Sequence, residues 1–255
     1  MSLIKAKRIL ALFLALAMIA GLSACGSKQG SESGKADVVV AKPDDKEPED
    51  VPGDEEFNWE RDVIPDMHTI LLLVNKTHPL DADYWPDDMV TIERHVEGVG
   101  NADTHQMRQV AADALNRMFD AAEKDGIYLK LRTGFRSYKY QEGLFASYAE
   151  RNGEEAANRF SARAGQSEHQ SGLCCDVGGK SQGYALSYEF GKTDEGKWVA
   201  DHCAEYGFII RYTEGKEDIT GYVAEPWHIR YVGEKHAKNM TEQNITLEEY
   251  LGVFR

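Results

Sequence analysis

The chain has 255 residues, 42% hydrophobic and 28% charged, which is enough for one domain with a sizeable core. Its 43 acidic residues outnumber 29 basic ones, giving a net charge of −14. Such a chain would meet a phosphate polyanion against its own field, which excludes nucleic acid as an expected partner.

Residues 1–24 read as a signal peptide: a basic start (Lys5, Lys7, Arg8), then an apolar run over 9–20 too short to span a bilayer comfortably. The following "LSAC" and Gly26 resemble the bacterial lipobox, which implies cleavage before Cys25 and lipidation of its thiol. The expected location is extracytoplasmic, on the outer face of the cytoplasmic membrane, with the lipid and not a helix as anchor. Loss of residues 1–24 removes three cations and no anion, so the mature net charge is −17. Residues 25–56 form the lipidated cysteine and an acidic linker. Over 26–56 ten acids face four lysines, with almost no large apolar side chain, and the segment is expected to be a disordered tether. Residues 57–255 remain for a single domain, without internal repeats and expected to be a monomer.

Within that domain "TILLLVNKTHPL" (69–80) reads as a buried strand running into a loop at Pro79. "DTHQMRQVAADALNRMFDAAEKDG" (103–126) has Met107, Val110, Ala111, Leu115, Met118, Phe119 and Ala122 at helical spacing. Asp103 or Thr104 can cap its start and Gly126 suits its end. "IYLKLRTGF" (127–135) alternates as a strand, and a helix is expected from about Ser137. A further helix falls in "TDEGKWVADHCAEYG", ending at Gly207, before strands "FIIRY" and "WHIRYV" and helical "EKHAKNMTEQ" and "TLEEYL". Helices grouped between strands that pair as neighbours argue an α+β fold with a small, mostly antiparallel sheet flanked by helices.

Two segments carry unusual chemistry. In "SEHQSGLCCDVGG" (167–179), read as a turn at Gly172 into a short strand, alternation sends Leu173, Cys175 and Val177 to one face, Cys174 and Asp176 to the other. In "EPWHIRYVG" (225–233), Trp227, Ile229 and Tyr231 alternate with His228 and Arg230, with Glu225 just before the strand. His169, Asp176 and His228 on converging strand ends form a donor set for one catalytic Zn2+, leaving a fourth position for water. A carboxylate must still move protons, and Glu225 is the candidate base. "TGFRSYKYQ" (133–141) supplies Arg136 at a strand-to-helix junction, a cation for a developing oxyanion. The other histidines lack such company. Arg132 and Arg230 suit ion pairs, and Tyr84 and Trp85 suit packing or a groove rim.

In order and separation, "TGFRSYKYQ", "SEHQSGLCCDV" and "EPWHIRYVG" resemble the zinc D-alanyl-D-alanine carboxypeptidases of the vancomycin-resistance (VanY-like) type. The likeness extends over about residues 69–240 through "LLLVNKTHPLDADYWPDDMV" and "AEYGFIIRY". It implies a hedgehog/D,D-peptidase-like fold and a peptidoglycan stem peptide as substrate, cut to release its C-terminal D-alanine. It also implies His169, Asp176 and His228 as zinc ligands, Glu225 as catalytic base and Arg136 at the substrate carbonyl. Ser167 would meet the substrate's terminal carboxylate, and Gln141 would line the pocket. The resemblance leaves the scissile bond open between D,D-carboxypeptidase, L,D-carboxypeptidase and endopeptidase. A non-catalytic wall-binding lipoprotein would not need Glu225.

The family commonly has a small residue where this chain has Cys174 and an aliphatic one at Cys175. Cys174 is expected near the metal as a packing residue and not as a ligand. Cys175 and Cys203, on a helix face shared with Val199, could pair as a disulfide or remain buried free thiols.

Overall fold

The computed structural model describes residues 69–253. The expected signal peptide, Cys25, the acidic linker and the domain's residues 57–68 and 254–255 lie outside the described residues.

Four strands form the central sheet: β3 (Leu129–Thr133), β4 (Cys174–Gly179), β5 (Phe208–Tyr212) and β6 (Glu225–Tyr231), in the order β3-β4-β6-β5. Every neighbouring pair is antiparallel. A ribbon of β1 (Met89–Thr91) and β2 (Gln106–Arg108) lies apart from it in pairing. The helices are α1 (Gln109–Lys124), α2 (Tyr138–Asn152), α3 (Glu154–Phe160), α4 (Asp194–His202), α5 (Glu217–Thr220), α6 (Glu234–Gln243) and α7 (Leu247–Tyr250). The expected α+β architecture with an antiparallel sheet is therefore observed.

The alternation read in "GLCCDVGG" and "WHIRY" decides how the sheet is buried. Leu173, Cys175, Val177, Ile229 and Tyr231 join Leu131, Phe208 and the apolar stripe of α1 in the main core. Each fully buried side chain of that size stabilises by roughly 1.5–3 kcal/mol relative to exposure. Cys174, Asp176, His228 and Arg230 alternate with them and are buried too, so this sheet covers one apolar face and one polar face.

Three local expectations change. Residues 69–80 are buried at Leu71, Leu72 and Val74 but form turns, not a strand. Their backbone is satisfied elsewhere: the carbonyls of Ile70 and Leu72 accept from Arg230 Nη2 at 3.0 and 2.7 Å. The helix of 103–126 begins only at Gln109, because Asp103–His105 makes a single 3-10 turn and Gln106–Arg108 pairs with β1. Neither Asp103 nor Thr104 caps it, and Val110 is exposed. Elsewhere the boundaries agree. Ser137 caps α2, its Oγ accepting from Tyr140 N at 3.2 Å, and Gly207 ends the 3-10 extension of α4 at φ 83°. Among the described residues no helix is long and apolar enough to cross a membrane.

Candidate active site

Strand pairing builds the centre. Antiparallel register sets Asp176 of β4 opposite His228 of β6, with Asp176 Oδ1 3.1 Å from His228 Nδ1. His169 arrives from the 3-10 turn Glu168–Ser171, which closes at Gly172 with φ 70°. A Cβ at Gly172 would lie 2.9 Å from Met89 Sδ and 3.0 Å from Arg108 Cγ, so the turn requires glycine for space as well as for conformation. His169 Nε2 then sits 3.5 Å from Asp176 Oδ1, and the two imidazole rings stand almost perpendicular with centroids 4.9 Å apart.

The tautomer of His169 follows from its partner. Its Nδ1–H donates to the Gly134 carbonyl at 2.6 Å, and a carbonyl only accepts, so Nε2 presents a lone pair to the centre. Glu225 Oε2 lies 3.6 Å from His228 Nδ1. Arg136 donates from Nη2 to Asp176 Oδ2 at 2.6 Å and from its backbone N to His169 O at 3.2 Å. Two carboxylates and two imidazoles thus converge, with Arg136 as the one guanidinium bonded to them among the described residues.

Burial pushes the Glu225 carboxyl up to about 7; His228 and Arg136 pull against it, and the Asp176 carboxylate adds to it. Burial also works to raise Asp176, but His169 and Arg136 hold it well below the usual carboxylate range. One partly exposed carboxyl is therefore poised to exchange a proton near neutrality while its buried neighbour stays charged. Both face a cavity of about 320 Å³, lined also by Arg136, Ser167, His169 and His228.

The donors fit a zinc ion: nitrogen and carboxylate oxygen, three in number, with an open side toward the cavity. At the back, His228 Nε2 and Glu168 Oε2 are buried, lack hydrogen-bond partners among the described residues, and lie 3.6 Å apart. A metal on Nδ1 would leave the proton of His228 on Nε2, facing that carboxylate. Carboxylate-backed histidine is the usual outer arrangement of zinc sites.

Comparison with known proteins identifies a family. Residues 104–234 match the family model "VanY: D-alanyl-D-alanine carboxypeptidase". The chain belongs to the VanY family. It is a carboxypeptidase of that family. Bacillus subtilis (strain 168) YodJ, which carries a carboxypeptidase name, is 44% identical over 74% of this chain and 69% of its own length. Among solved structures, the LdcB LD-carboxypeptidase is 44% identical with a TM-score of 0.70, covering 75% of this chain and 90% of that one. A VanY D,D-pentapeptidase from a VanB-type vancomycin-resistance cassette, in complex with Zn(II), is 30% identical with a TM-score of 0.59, covering 71% and 98%.

Of the residues expected at a VanY site, His169, Asp176, His228, Glu225, Arg136 and Ser167 all line one cavity. Gln141 is not on the lining. It is buried behind it, donating from Nε2 to Ala162 O at 2.7 Å, and Ser161 and Ala162 form the wall it supports. Cys175 and Cys203 are both free, so the disulfide alternative is corrected. The expected faces hold, since both thiols lie in the main core, but each is packed there as a small apolar group. Burial pushes the Cys203 thiol up to about 12, in keeping with an inert role. Cys174 lies closer to the centre than a filler needs to be: its Sγ and nitrogens of His169 and His228 are all within 4.8 Å of one another.

Glu168 was missed by sequence reasoning. It sits between Ser167 and His169, where an acidic residue reads as solvated, and only the fold shows that it is buried. Tyr212, whose ring centroid is 5.0 Å from that of His228, was missed for the same reason.

Proposed function

We propose that the protein is a zinc-dependent carboxypeptidase that removes the C-terminal D-alanine from peptidoglycan stem peptides ending in D-alanyl-D-alanine. The observation that carries this is the convergence of His169, Asp176 and His228 with the Glu225 carboxyl on one cavity.

His169 through Nε2, Asp176 through a carboxylate oxygen and His228 through Nδ1 would hold one Zn2+ per chain. When bound, the ion supplies Lewis-acid polarisation of the scissile carbonyl and acidifies water. Glu225 takes the proton of the attacking water and delivers it to the departing amine; its value of about 7 suits both transfers at neutral pH. Arg136 donates to Asp176 through Nη2, and its remaining N–H donors serve the carbonyl oxygen as negative charge develops there. Ser167 meets the substrate's terminal carboxylate from the cavity wall, and Gln141 keeps the Ser161–Ala162 wall in place.

A second reading keeps the chemistry and changes the bond. The LD-carboxypeptidase is closer in identity and TM-score than the D,D-enzyme, which favours trimming of tetrapeptide stems. Mass spectrometry of pentapeptide and tetrapeptide muropeptides, incubated with and without chelator, tests both. Loss of D-alanine from pentapeptides supports the first reading and loss only from tetrapeptides the second. Turnover insensitive to chelator would sink the metal mechanism. A pure binding role is disfavoured by Glu225, since metal binding alone needs no free carboxyl beside the donors. We also propose that lipidation of Cys25 tethers the enzyme to the outer face of the cytoplasmic membrane through the acidic linker, on the strength of the sequence pattern. Metabolic labelling with a fatty acid, lost in Cys25→Ala, tests it.

A further inference from the structure

The two imidazoles of the centre face a second donor. Cys174 and Asp176 stand two residues apart on β4 and share its polar face. Across the sheet Asp176 pairs with His228, and Cys174 pairs two positions further along β6, with Arg230. His169, Cys174 and His228 each offer one donor atom, and all three atoms lie within 4.8 Å of one another. That bound is close to the roughly 4.6 Å that two zinc-like bonds of about 2.3 Å can span, so a small side-chain adjustment would bring the three atoms onto one ion.

The rival donor, Asp176, is already committed. Its Oδ2 accepts from Arg136 at 2.6 Å, and its Oδ1 is shared between the two imidazoles. Cys174 has no guanidinium to release. It is fully buried and absent from the cavity lining, whereas His169, Asp176 and His228 all reach the cavity. The thiol therefore meets the imidazoles from inside the sheet, away from the face a peptide would enter.

We propose that the centre has two donor sets sharing both imidazoles: with Asp176 for zinc, and with Cys174 for a thiophilic divalent ion such as Cd2+. In the second set the S–H proton leaves to solvent as the sulfur–metal bond forms, with no change of oxidation state. Soft ions select thiolate over carboxylate, so such an ion captures the imidazoles that zinc requires. This rests on the reading of His169 and His228 as metal ligands.

The test is a titration of metal-free full-length protein with CdCl2, followed by thiolate-to-cadmium absorption in the ultraviolet and by cadmium NMR. A parallel ZnCl2 titration against a chelating dye gives the zinc affinity. One equivalent of Cd2+ should produce the thiolate signature. Cys174→Ser should abolish it and weaken Cd2+ binding more than roughly tenfold, since loss of a donor must cost at least what loss of an outer-shell partner costs. Cys175→Ala, which removes the neighbouring core thiol, should keep the signature. Cd2+ bound without that signature in the unaltered protein, or a signature surviving in Cys174→Ser, overturns the second donor set while zinc binding stands. If Cys174→Ser does not fold, the cadmium shift of the unaltered protein still decides, because thiolate and carboxylate donors give well-separated shifts. Failure to bind either ion overturns both donor sets.

Discussion

Two groups of buried charge lie on the polar side of the sheet, and they are balanced in opposite ways. In the first, Glu168 and Glu248 face Arg211 and Arg230. Arg211 donates to Glu168 Oε1 at 2.8 Å and grips both oxygens of Glu248 at 2.7 and 2.8 Å. Arg230 adds a bond to Glu168 Oε1 at 2.9 Å, and Asn75 a bond to Glu248 Oε1 at 3.1 Å. Two anions meet two cations. In the second group Asp176 and Glu225 have two imidazoles and, in direct contact, only Arg136. The first group is closed by the protein's own charges and is structural. The second sets two carboxyls against one guanidinium and two titratable imidazoles, and it opens on the cavity. Glu168 belongs to both: Oε1 is spent on the arginines, while Oε2 faces His228.

That contrast breaks most visibly at Glu225. Glu225→Ala should lower kcat by about 10²–10⁴-fold, the usual worth of general acid–base catalysis, while leaving zinc stoichiometry intact. Near-normal turnover in the variant would remove Glu225 from the mechanism. The mirror experiment is Glu248→Gln, which opens the closed group and leaves the zinc donors in place. Removing one charge from a buried pair costs up to about 3–5 kcal/mol, to be read from urea unfolding of the metal-free protein. The pH dependence should change as well. Burial works to raise the Glu248 carboxyl, but Arg211 and Asn75 hold it below its ordinary value. A depressed carboxyl stabilises the fold above its unfolded pKa, and that contribution fades as pH falls through the folded value. The acid slope of stability should therefore be shallower in Glu248→Gln; an unchanged slope would place the linkage elsewhere.

The convergence of Asp176 and His228 was legible in the sequence because strand alternation is a local rule. Each occupies the face opposite an apolar stripe, and the tight turn at Gly172 leaves little freedom in how His169 joins them. Arg136 was legible at the end of a strand, just before a capped helix. The segments that misled are those whose partners are distant in sequence. The apolar run 69–80 finds its hydrogen bonds at Arg230, some 160 residues away, so hydrophobicity alone could not tell a strand from a buried turn. Gln106–Arg108 have helical spacing but are drawn into pairing with Met89–Thr91. Glu168 could not be recognised, since a carboxylate beside a histidine becomes a buried element only once Arg211 and Arg230 have folded over it. The helices α3 and α5, seven and four residues long, are too short to show a period.

Glu168→Gln sharpens the comparison because it touches both groups at once. The amide keeps the size of the side chain but cannot back the Nε2–H of His228 as an anion. Zinc affinity should fall by about 10–100-fold, the usual cost of losing an outer-shell partner. Stability should fall too, through Arg211 and Arg230, so the informative quantity is the difference from Glu248→Gln. If Glu168 orients His228, zinc affinity drops in Glu168→Gln and holds in Glu248→Gln, measured by competition with a chelating dye. Equal losses in both variants would mean that the closed group supports the site only by keeping it folded.

The smallest effect is expected at the edge of the open group, where Arg136 is held by a helix start. Ser137 is the N-cap of α2, and Arg136 precedes it by one residue, so the cap fixes the backbone from which the guanidinium reaches Asp176. Ser137→Ala removes the oxygen that accepts from Tyr140 N and should cost about 1 kcal/mol of stability. Arg136 remains tied from two other directions, through its backbone bond to His169 O and its side-chain bond to Asp176. Zinc affinity should therefore hold, and kcat should fall by only a few-fold, because small misplacement of one oxyanion donor is partly absorbed by those two bonds. A loss of kcat as large as that of Arg136→Lys, measured on the same muropeptide, would show instead that the cap and not the ion pair places the guanidinium.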